Sequence, residues 1–313
     1  MESLAVGVDL GGTKIEAVVL RGAAHEELAR VRVPTDQAEG YEAIVARTAA
    51  IIERVRRDAG VRAEDATLGV GMPGNVARVT GLVKNSNTVC LNGRPFREDL
   101  ARLLARPVAF ENDANCFALA EAQRGAGAPY RDGIVFGVIM GTGVGGGLVV
   151  HGDLWPGIQG LGGEWGHHAV WGGRSDARAC YCGQRGCLEK YASGPAMQED
   201  YTARTGQRAT VPEIVARRAT DPAATAAIDS VLESFGRGLA NLINILDPSA
   251  VVLGGGLSNL PLLLLEGPAR VAKYVFNDEL ITPIVKNALG DSAGVIGAAL
   301  VGARAGAATA SCP

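Results

Sequence analysis

An α/β protein of two similarly built lobes, facing one another across a cleft, is expected from this sequence. A strand, a glycine turn and a second strand open the chain at residues 5–10, Gly11-Gly12-Thr13-Lys14 and 15–20. The same unit returns at 133–140, Gly141-Thr142-Gly143 and 146–150, roughly 130 residues later, as duplicated lobes require. At 313 residues the chain is too long for one ordinary core and suits two. Its 43 glycines follow no collagen-like period. They cluster at 11–12, 141–147, 160–166 and 254–256 beside apolar runs, as in loops whose backbone approaches a ligand closely.

Between and after these hairpins the pattern alternates. Residues 41–57 carry Ile44, Ala50, Ile51 and Val55 on one face of a helix. Residues 67–71 read as a buried strand that ends at Met72-Pro73-Gly74, where proline forces a turn. A short helix at 97–105 precedes a short strand at 107–111, which runs into Asn112-Asp113. Residues 223–246 place Ile228, Val231, Leu232, Phe235, Leu239, Leu242, Ile243 and Leu246 on a long amphipathic helix stopped by Asp247-Pro248. A strand at 250–253 then enters Gly254-Gly255-Gly256, and the small apolar stretch 292–304 reads as a closing helix. The Ala-rich tail 305–313, with Cys312, is expected to be loose.

Apolar residues make up 47% and charged residues 20%, the balance of a soluble globular protein. A net charge of −3 gives no electrostatic reason to expect nucleic acid or an anionic membrane as partner. No basic stretch followed by an apolar core opens the chain, so no signal peptide is expected. No run of about 18 residues is apolar throughout, so no membrane span is expected either, and the expected location is the cytoplasm. There, six cysteines argue for metal or free thiols before disulfides.

Two stretches fit the spacing of a dinucleotide fingerprint, Gly69 to Gly74 and Gly141, Gly143, Gly146. That fingerprint needs a helix directly after the glycines, because the pyrophosphate rests on a helix N-terminus. The first match contains Pro73 and the second runs into the strand-forming Leu148-Val149-Val150, so both are poor candidates. The P-loop pattern is absent from the sequence. A glycine-rich hairpin turn still binds phosphate, since successive backbone N–H groups form an anion nest. Asp9, at the end of its strand, would hold Mg²⁺ or its water shell. One such turn alone is more simply a hairpin turn. Two copies with a third cluster at Gly254-Gly255-Gly256 tip the balance towards a nucleotide site.

His167, Cys180, Cys182 and Cys187 read H-x(12)-C-x-C-x(4)-C, one imidazole and three thiolates, the donor set of a closed structural zinc site. Three clustered cysteines leave one over in any disulfide scheme, which favours zinc. Spacing alone does not separate His167 from His168 as the ligand. Cys90 and Cys116 read as small buried hydrophobes.

The chain is similar throughout to the ROK family of bacterial sugar kinases. The resemblance rests on Asp9-Leu-Gly-Gly-Thr-Lys14, Gly71-Met-Pro-Gly74, Glu111-Asn-Asp-Ala-Asn115, Gly141-Thr-Gly143, Gly163-Glu-Trp-Gly-His167, Cys180-Tyr-Cys-Gly-Gln-Arg-Gly-Cys187-Leu-Glu189 and Leu253-Gly-Gly-Gly256. It implies the duplicated actin-like (ribonuclease H-like) two-lobed fold with a hinged cleft. It also implies a smaller N-terminal lobe at 1–115, completed by a C-terminal helix at about 292–304, and a larger lobe at 116–291 with the zinc site. ATP with Mg²⁺ would bind at Asp9, Gly11, Gly12, Thr13, Lys14, Gly141, Thr142, Gly143, Gly254, Gly255 and Gly256. Asp113 would take the proton from the attacking sugar hydroxyl, a role that asks for a well-placed carboxylate. The ordinary use of Asn-Asp after a strand is a helix cap. Asn112, Glu164, His167 and Glu189 would hold sugar hydroxyls, with Gly74 and Asn87 beside them. His167 would serve both zinc and sugar, its orientation set by the metal. A homodimer is the expected assembly.

Residues 84–96, with Glu164-Trp165-Gly166-His167 and Cys180-Tyr181-Cys182, look most like the family's fructokinases and mannokinases. Fructose is therefore the first expected substrate, mannose the next, with N-acetylglucosamine kinase or glucokinase as alternatives. Residues 171–179 depart from the family pattern. A sugar-responsive repressor is the rival class. Such proteins carry a helix-turn-helix before the kinase-like part, and here the first motif already begins at Asp9.

Overall fold

The computed structural model describes residues 2–22 and 25–310, and the chain divides into two compact units. One takes the chain up to Ala120, Pro156–Gly160 and the chain from Leu289 onward; the other takes Glu121–Trp155 and Leu161–Ala288.

In the first unit, β1 (Leu4–Leu10) and β2 (Lys14–Arg21) form an antiparallel hairpin, with β3 (Glu26–Pro34) antiparallel on the far side of β2. Helix α1 (Tyr41–Asp58) packs on β2 and β3. Strand β4 (Ala66–Met72) lies parallel to β1, and β7 (Ala109–Asn112) parallel to β4. Between them come a two-stranded ribbon of β5 (Asn75–Val76) and β6 (Val83–Lys84), and helix α2 (Phe96–Leu104). Helix α3 (Asp113–Arg124) follows β7 without a break, and the boundary between the units falls inside it, beyond the expected limit at 115. The sheet order is β3-β2-β1-β4-β7. Strands β1 and β4 are buried along nearly their whole length, which is why both read as continuous apolar runs. Strand β3 escaped the sequence reading because it is an edge strand. Val31 and Val33 face inward while Glu26, Glu27, Arg30 and Arg32 keep it charged, a common device against edge-to-edge pairing.

The second unit repeats the scheme. Strands β8 (Ile134–Met140) and β9 (Val144–Val150) form the hairpin, and β10 (Asp153–Leu154) extends it antiparallel. Helices α4 (Glu189–Ala192), α5 (Gly194–Thr205), α6 (Val211–Arg217) and the long α7 (Pro222–Leu246) follow. Helix α7 starts on an Asp221 cap and stops where Asp247 turns left-handed, ahead of Pro248. Strand β11 (Ala250–Gly254) is parallel to β8; after α8 (Pro261–Leu265) and α9 (Gly267–Ala272), β12 (Ile284–Lys286) is parallel to β11. The order β10-β9-β8-β11-β12 matches that of the first sheet strand for strand, with the same sequence of antiparallel and parallel pairs. This is the duplicated actin-like (ribonuclease H-like) architecture. Among the described residues, no helix is long and apolar enough to cross a membrane.

The last helix, α10 (Ala293–Ala310), belongs to the first unit and packs on β1 and β4. It runs past the expected end at 304, so residues 305–310 are helical rather than a loose tail; Cys312 lies outside the described residues. The contact is backbone against backbone. A methyl group on Gly7 would lie 2.2 Å from the Val295 carbonyl oxygen, and one on Gly69 would lie 2.0 Å from that of Ala298. On the helix side, a methyl on Gly302 would reach 2.6 Å from the Gly69 nitrogen. Gly69→Ala is therefore expected to destabilise the protein by about 1–3 kcal/mol or more, read as a lower urea midpoint. An unchanged midpoint would mean that α10 does not seat on β4 in this way.

Candidate active site

The first glycine turn is held in part by Thr35 and Gln37, which the sequence reading did not single out. Gly11 N–H donates to the Lys14 carbonyl at 2.9 Å, the Thr35 hydroxyl donates to the Gly11 carbonyl at 2.6 Å, and Thr35 N–H donates to Thr13 at 3.0 Å. The Gln37 amide donates to the Gly12 carbonyl. Asn87 stands beside this turn, its Oδ1 3.8 Å from where a Gly12 methyl would sit. Lys14 reaches Glu16, which is fully buried and also binds Arg30 and Arg32. Arg30 in turn donates to Ser292 at the foot of α10, at 2.9 Å.

Asp9, the next-to-last residue of β1, is half-buried. Burial, then the charges of Asp113 and Glu16, raise its carboxyl to about 7, against a smaller opposite pull from Lys14. A methyl on Gly294, in the first turn of α10, would lie 2.8 Å from Asp9 Oδ2, so glycine there leaves room for the carboxylate at a helix N-terminus. Asp113 opens α3, and its Oδ1 accepts from Ala114 N–H at 2.9 Å. Asn112 turns out to be a brace: its Oδ1 accepts from the N–H groups of Ala114 and Asn115, and its Nδ2 donates to the Gly74 carbonyl at 3.1 Å. The capping role and a place beside Gly74 thus coexist in one residue. Glu111, quoted from sequence only as part of a motif, accepts from Asn112 N–H at 2.9 Å and Asn115 Nδ2 at 2.8 Å and so locks the same corner. On α3 itself, burial, with Glu111, Asp9 and Asp113 adding, pushes the Cys116 thiol up, and Cys90 is half-buried rather than fully buried.

In the second unit, Gly141 N–H donates to Gly143 at 2.9 Å, and the Gly141 carbonyl accepts from Gly194 N–H at 2.8 Å. Gly255, at φ +79°, leaves no space for a side chain, since a methyl would lie 2.4 Å from the Met140 carbonyl. Gly256 N is 3.6 Å from the methyl position of Gly141, so the 141–143 turn and the 254–256 cluster stand side by side. Glu189 joins this turn to the metal-ligand segment: Val144 N–H donates to its Oε2 at 3.0 Å, and a Gly143 methyl would lie 2.8 Å from that oxygen. The stretch from Gly163 to Gly166 lies flat against β9. A Gly163 methyl would meet the Gly146 carbonyl at 2.3 Å, and the Trp165 indole N–H donates to Gly145 at 2.8 Å. Glu164 lines a cavity of about 530 Å³ together with Leu161, Trp165, His168 and Asn241.

The four metal-ligand candidates converge, with their donor atoms all within 4.8 Å of one another. Cys182 Sγ and Cys187 Sγ are 3.6 Å apart, and Cys180 Sγ is 3.7 Å from His167 Nδ1. A tetrahedral zinc with Zn–S bonds of about 2.3 Å spaces its sulfurs by ~3.8 Å, so this donor set fits that ion. The geometry also separates the two histidines. His168 turns away, stacks on Trp165, and donates from Nδ1 to the Trp165 carbonyl. The unusual segment 171–179 is tied to neighbouring helices: the Trp171 indole N–H donates to Ser234 on α7 at 3.0 Å, and Arg178 binds Asp200 on α5 at 3.0 Å.

The raised Asp9 carboxyl has a definite sign. An acid whose folded-state pKa lies above its unfolded value takes up a proton on folding, so stability is lost as pH rises from about 4 to about 7. Asp9→Asn should therefore raise the melting temperature of magnesium-free protein above pH 7 and match the wild type near pH 4. A pH-independent difference would contradict the buried charge.

The ROK family model matches residues 5–304 of this chain. An N-acetyl-D-glucosamine kinase of Photobacterium profundum is 38% identical over 306 residues, covering 94% of this chain and 98% of that protein. An N-acetylgalactosamine kinase (AgaK) of a Shewanella species is 37% identical over 303 residues, covering 95% and 96%. Among solved structures, a ROK hexokinase from Thermus thermophilus superimposes with a TM-score of 0.87 at 35% identity, covering 97% of this chain and 99% of that one. The chain belongs to the ROK family and is an ATP-dependent sugar kinase.

Proposed function

We propose that the chain transfers the γ-phosphoryl group of ATP to a hydroxyl of an N-acetylated hexose. The observation that carries this reading is the likeness, over almost the full chain, to kinases named for N-acetylglucosamine and N-acetylgalactosamine. Fructose, the first expectation from residues 84–96, has no support in those names, nor has mannose; the alternative, an N-acetylglucosamine kinase, takes their place. The shift is physically small. An acetamido group needs one shaped space, and a pocket discriminates such a difference by only about 1–3 kcal/mol, so every shared motif survives a change of sugar.

In this reading Asp113 accepts the proton of the attacking hydroxyl, the new O–P bond forms, and the bond from the γ-phosphorus to the bridging oxygen breaks to release ADP. Gly11, Gly12, Thr13, Lys14, Gly141, Thr142, Gly143 and the 254–256 glycines would offer backbone N–H groups to the phosphates, and Asp9 would hold Mg²⁺, which would supply charge neutralisation. Its raised carboxyl would ionise beside that cation. Glu164, His167 and Glu189 hold sugar hydroxyls; the bond from Val144 N–H leaves Glu189 one oxygen for this purpose. Gly74, Asn87 and Asn112 complete the surroundings, Asn112 mainly by positioning Gly74 and Asp113.

His167, Cys180, Cys182 and Cys187 would hold a zinc ion that supplies no chemistry to the transfer and would fix the orientation of the His167 ring. Purified protein should hold about one zinc per chain, and Cys182→Ser should lose metal, stability and sugar affinity together. Active protein free of zinc by elemental analysis would end this assignment.

The substrate reading is tested by kcat/KM for N-acetylglucosamine, N-acetylgalactosamine, fructose, mannose and glucose in a coupled ADP assay. An N-acetylated sugar should lead by ~10-fold or more, and Asp113→Asn should cut kcat by roughly 10²–10⁴-fold while sugar still binds. A clear lead for fructose would overturn the proposal.

A further inference from the structure

Tyr181 lies between two of the clustered cysteines, Cys180 and Cys182, on a loop whose residues 181–185 are all exposed. Its ring is largely in solvent, with the residue 75% exposed, yet its hydroxyl end reaches inward. The hydroxyl oxygen is 3.0 Å from His167 Nε2, and the two rings meet edge to face with centroids 5.2 Å apart and planes at 90°. The other nitrogen of His167, Nδ1, faces Cys180 Sγ at 3.7 Å within the ligand cluster. Only Nε2 is therefore left for anything outside the cluster. In either tautomer that atom makes a single hydrogen bond, giving one hydrogen or accepting one.

The phenol hydroxyl thus stands on the one atom of His167 read above as a sugar contact. We propose that Tyr181 is a gate on the sugar site, its hydroxyl holding the place of a sugar hydroxyl on His167 Nε2 until substrate displaces it. This rests on the reading of His167 as a sugar contact. The exposure of the ring makes the swing easy, because few packing contacts are lost when the side chain rotates outward. One hydrogen bond is exchanged for another, so the gate lowers affinity without abolishing it.

The test compares wild type with Tyr181→Phe, which keeps the ring and removes only the competing hydroxyl. N-acetylglucosamine binding is measured by calorimetry without ATP, and then KM and kcat with ATP, using fructose as the probe should the substrate panel favour it. The variant should bind the sugar ~2–10-fold tighter, the usual worth of one hydrogen bond, with the effect on KM rather than kcat and with zinc content unchanged. Weaker binding by the variant would overturn the gate and make the hydroxyl a direct sugar contact. Equal binding would overturn it too, since His167 Nε2 would not be contested. If the wild type binds no hexose, the sugar reading of the site falls and the gate falls with it.

Discussion

Where β1 and β4 meet α10, a side chain of even one carbon would overlap the helix backbone: the methyl positions of Gly7 and Gly69 lie 2.2 and 2.0 Å from carbonyl oxygens of Val295 and Ala298. The second unit uses the same rule at its turns, where Gly143 makes room for Glu189, Gly163 for β9 and Gly255 for Met140. Glycine here is a packing requirement as much as a conformational one. Within the first unit it also gives the Asp9 carboxylate room at the first turn of α10, where a methyl on Gly294 would lie 2.8 Å from its Oδ2.

Much of this was legible in advance. The repeated strand–turn–strand unit announced two sheets of one design, because a central parallel strand buried on both faces can only be written as a continuous apolar run. The cysteine spacing announced a four-ligand cluster, because three thiolates and an imidazole have few other uses at that separation. What stayed hidden was whatever depends on long-range partners. Strand β3 carries Arg30 and Arg32, and their reason appears only when Glu16 is found buried between them. Thr35 and Gln37 are unremarkable in sequence until the chain folds them over the first glycine turn.

Roles inside the site divided in the same way. The family resemblance named Asp113, Glu189 and His167, but could not say that Asn112 has both ends of its amide engaged by backbone, or that Glu189 already accepts from Val144. The two neighbouring histidines are equivalent on paper. Only the direction of each ring separates them, one towards sulfur and the other against Trp165. Substrate choice was the least legible property, because it rests on the shape of a small volume rather than on any residue that must be present.

The membership of α10 in the first unit also bears on how the chain is made. That unit begins with β1 and is completed only by residues from Leu289 onward, while the second unit is encoded wholly in between. During synthesis the glycine face of β1 and β4 therefore waits uncovered while more than half of the chain is added. At about 5–20 residues per second that wait lasts on the order of ten seconds or more. The second unit can close its core in that interval, but the first cannot. Its exposed strands are the nascent chain's natural point of capture by chaperones, and premature termination anywhere before α10 would leave them bare for good.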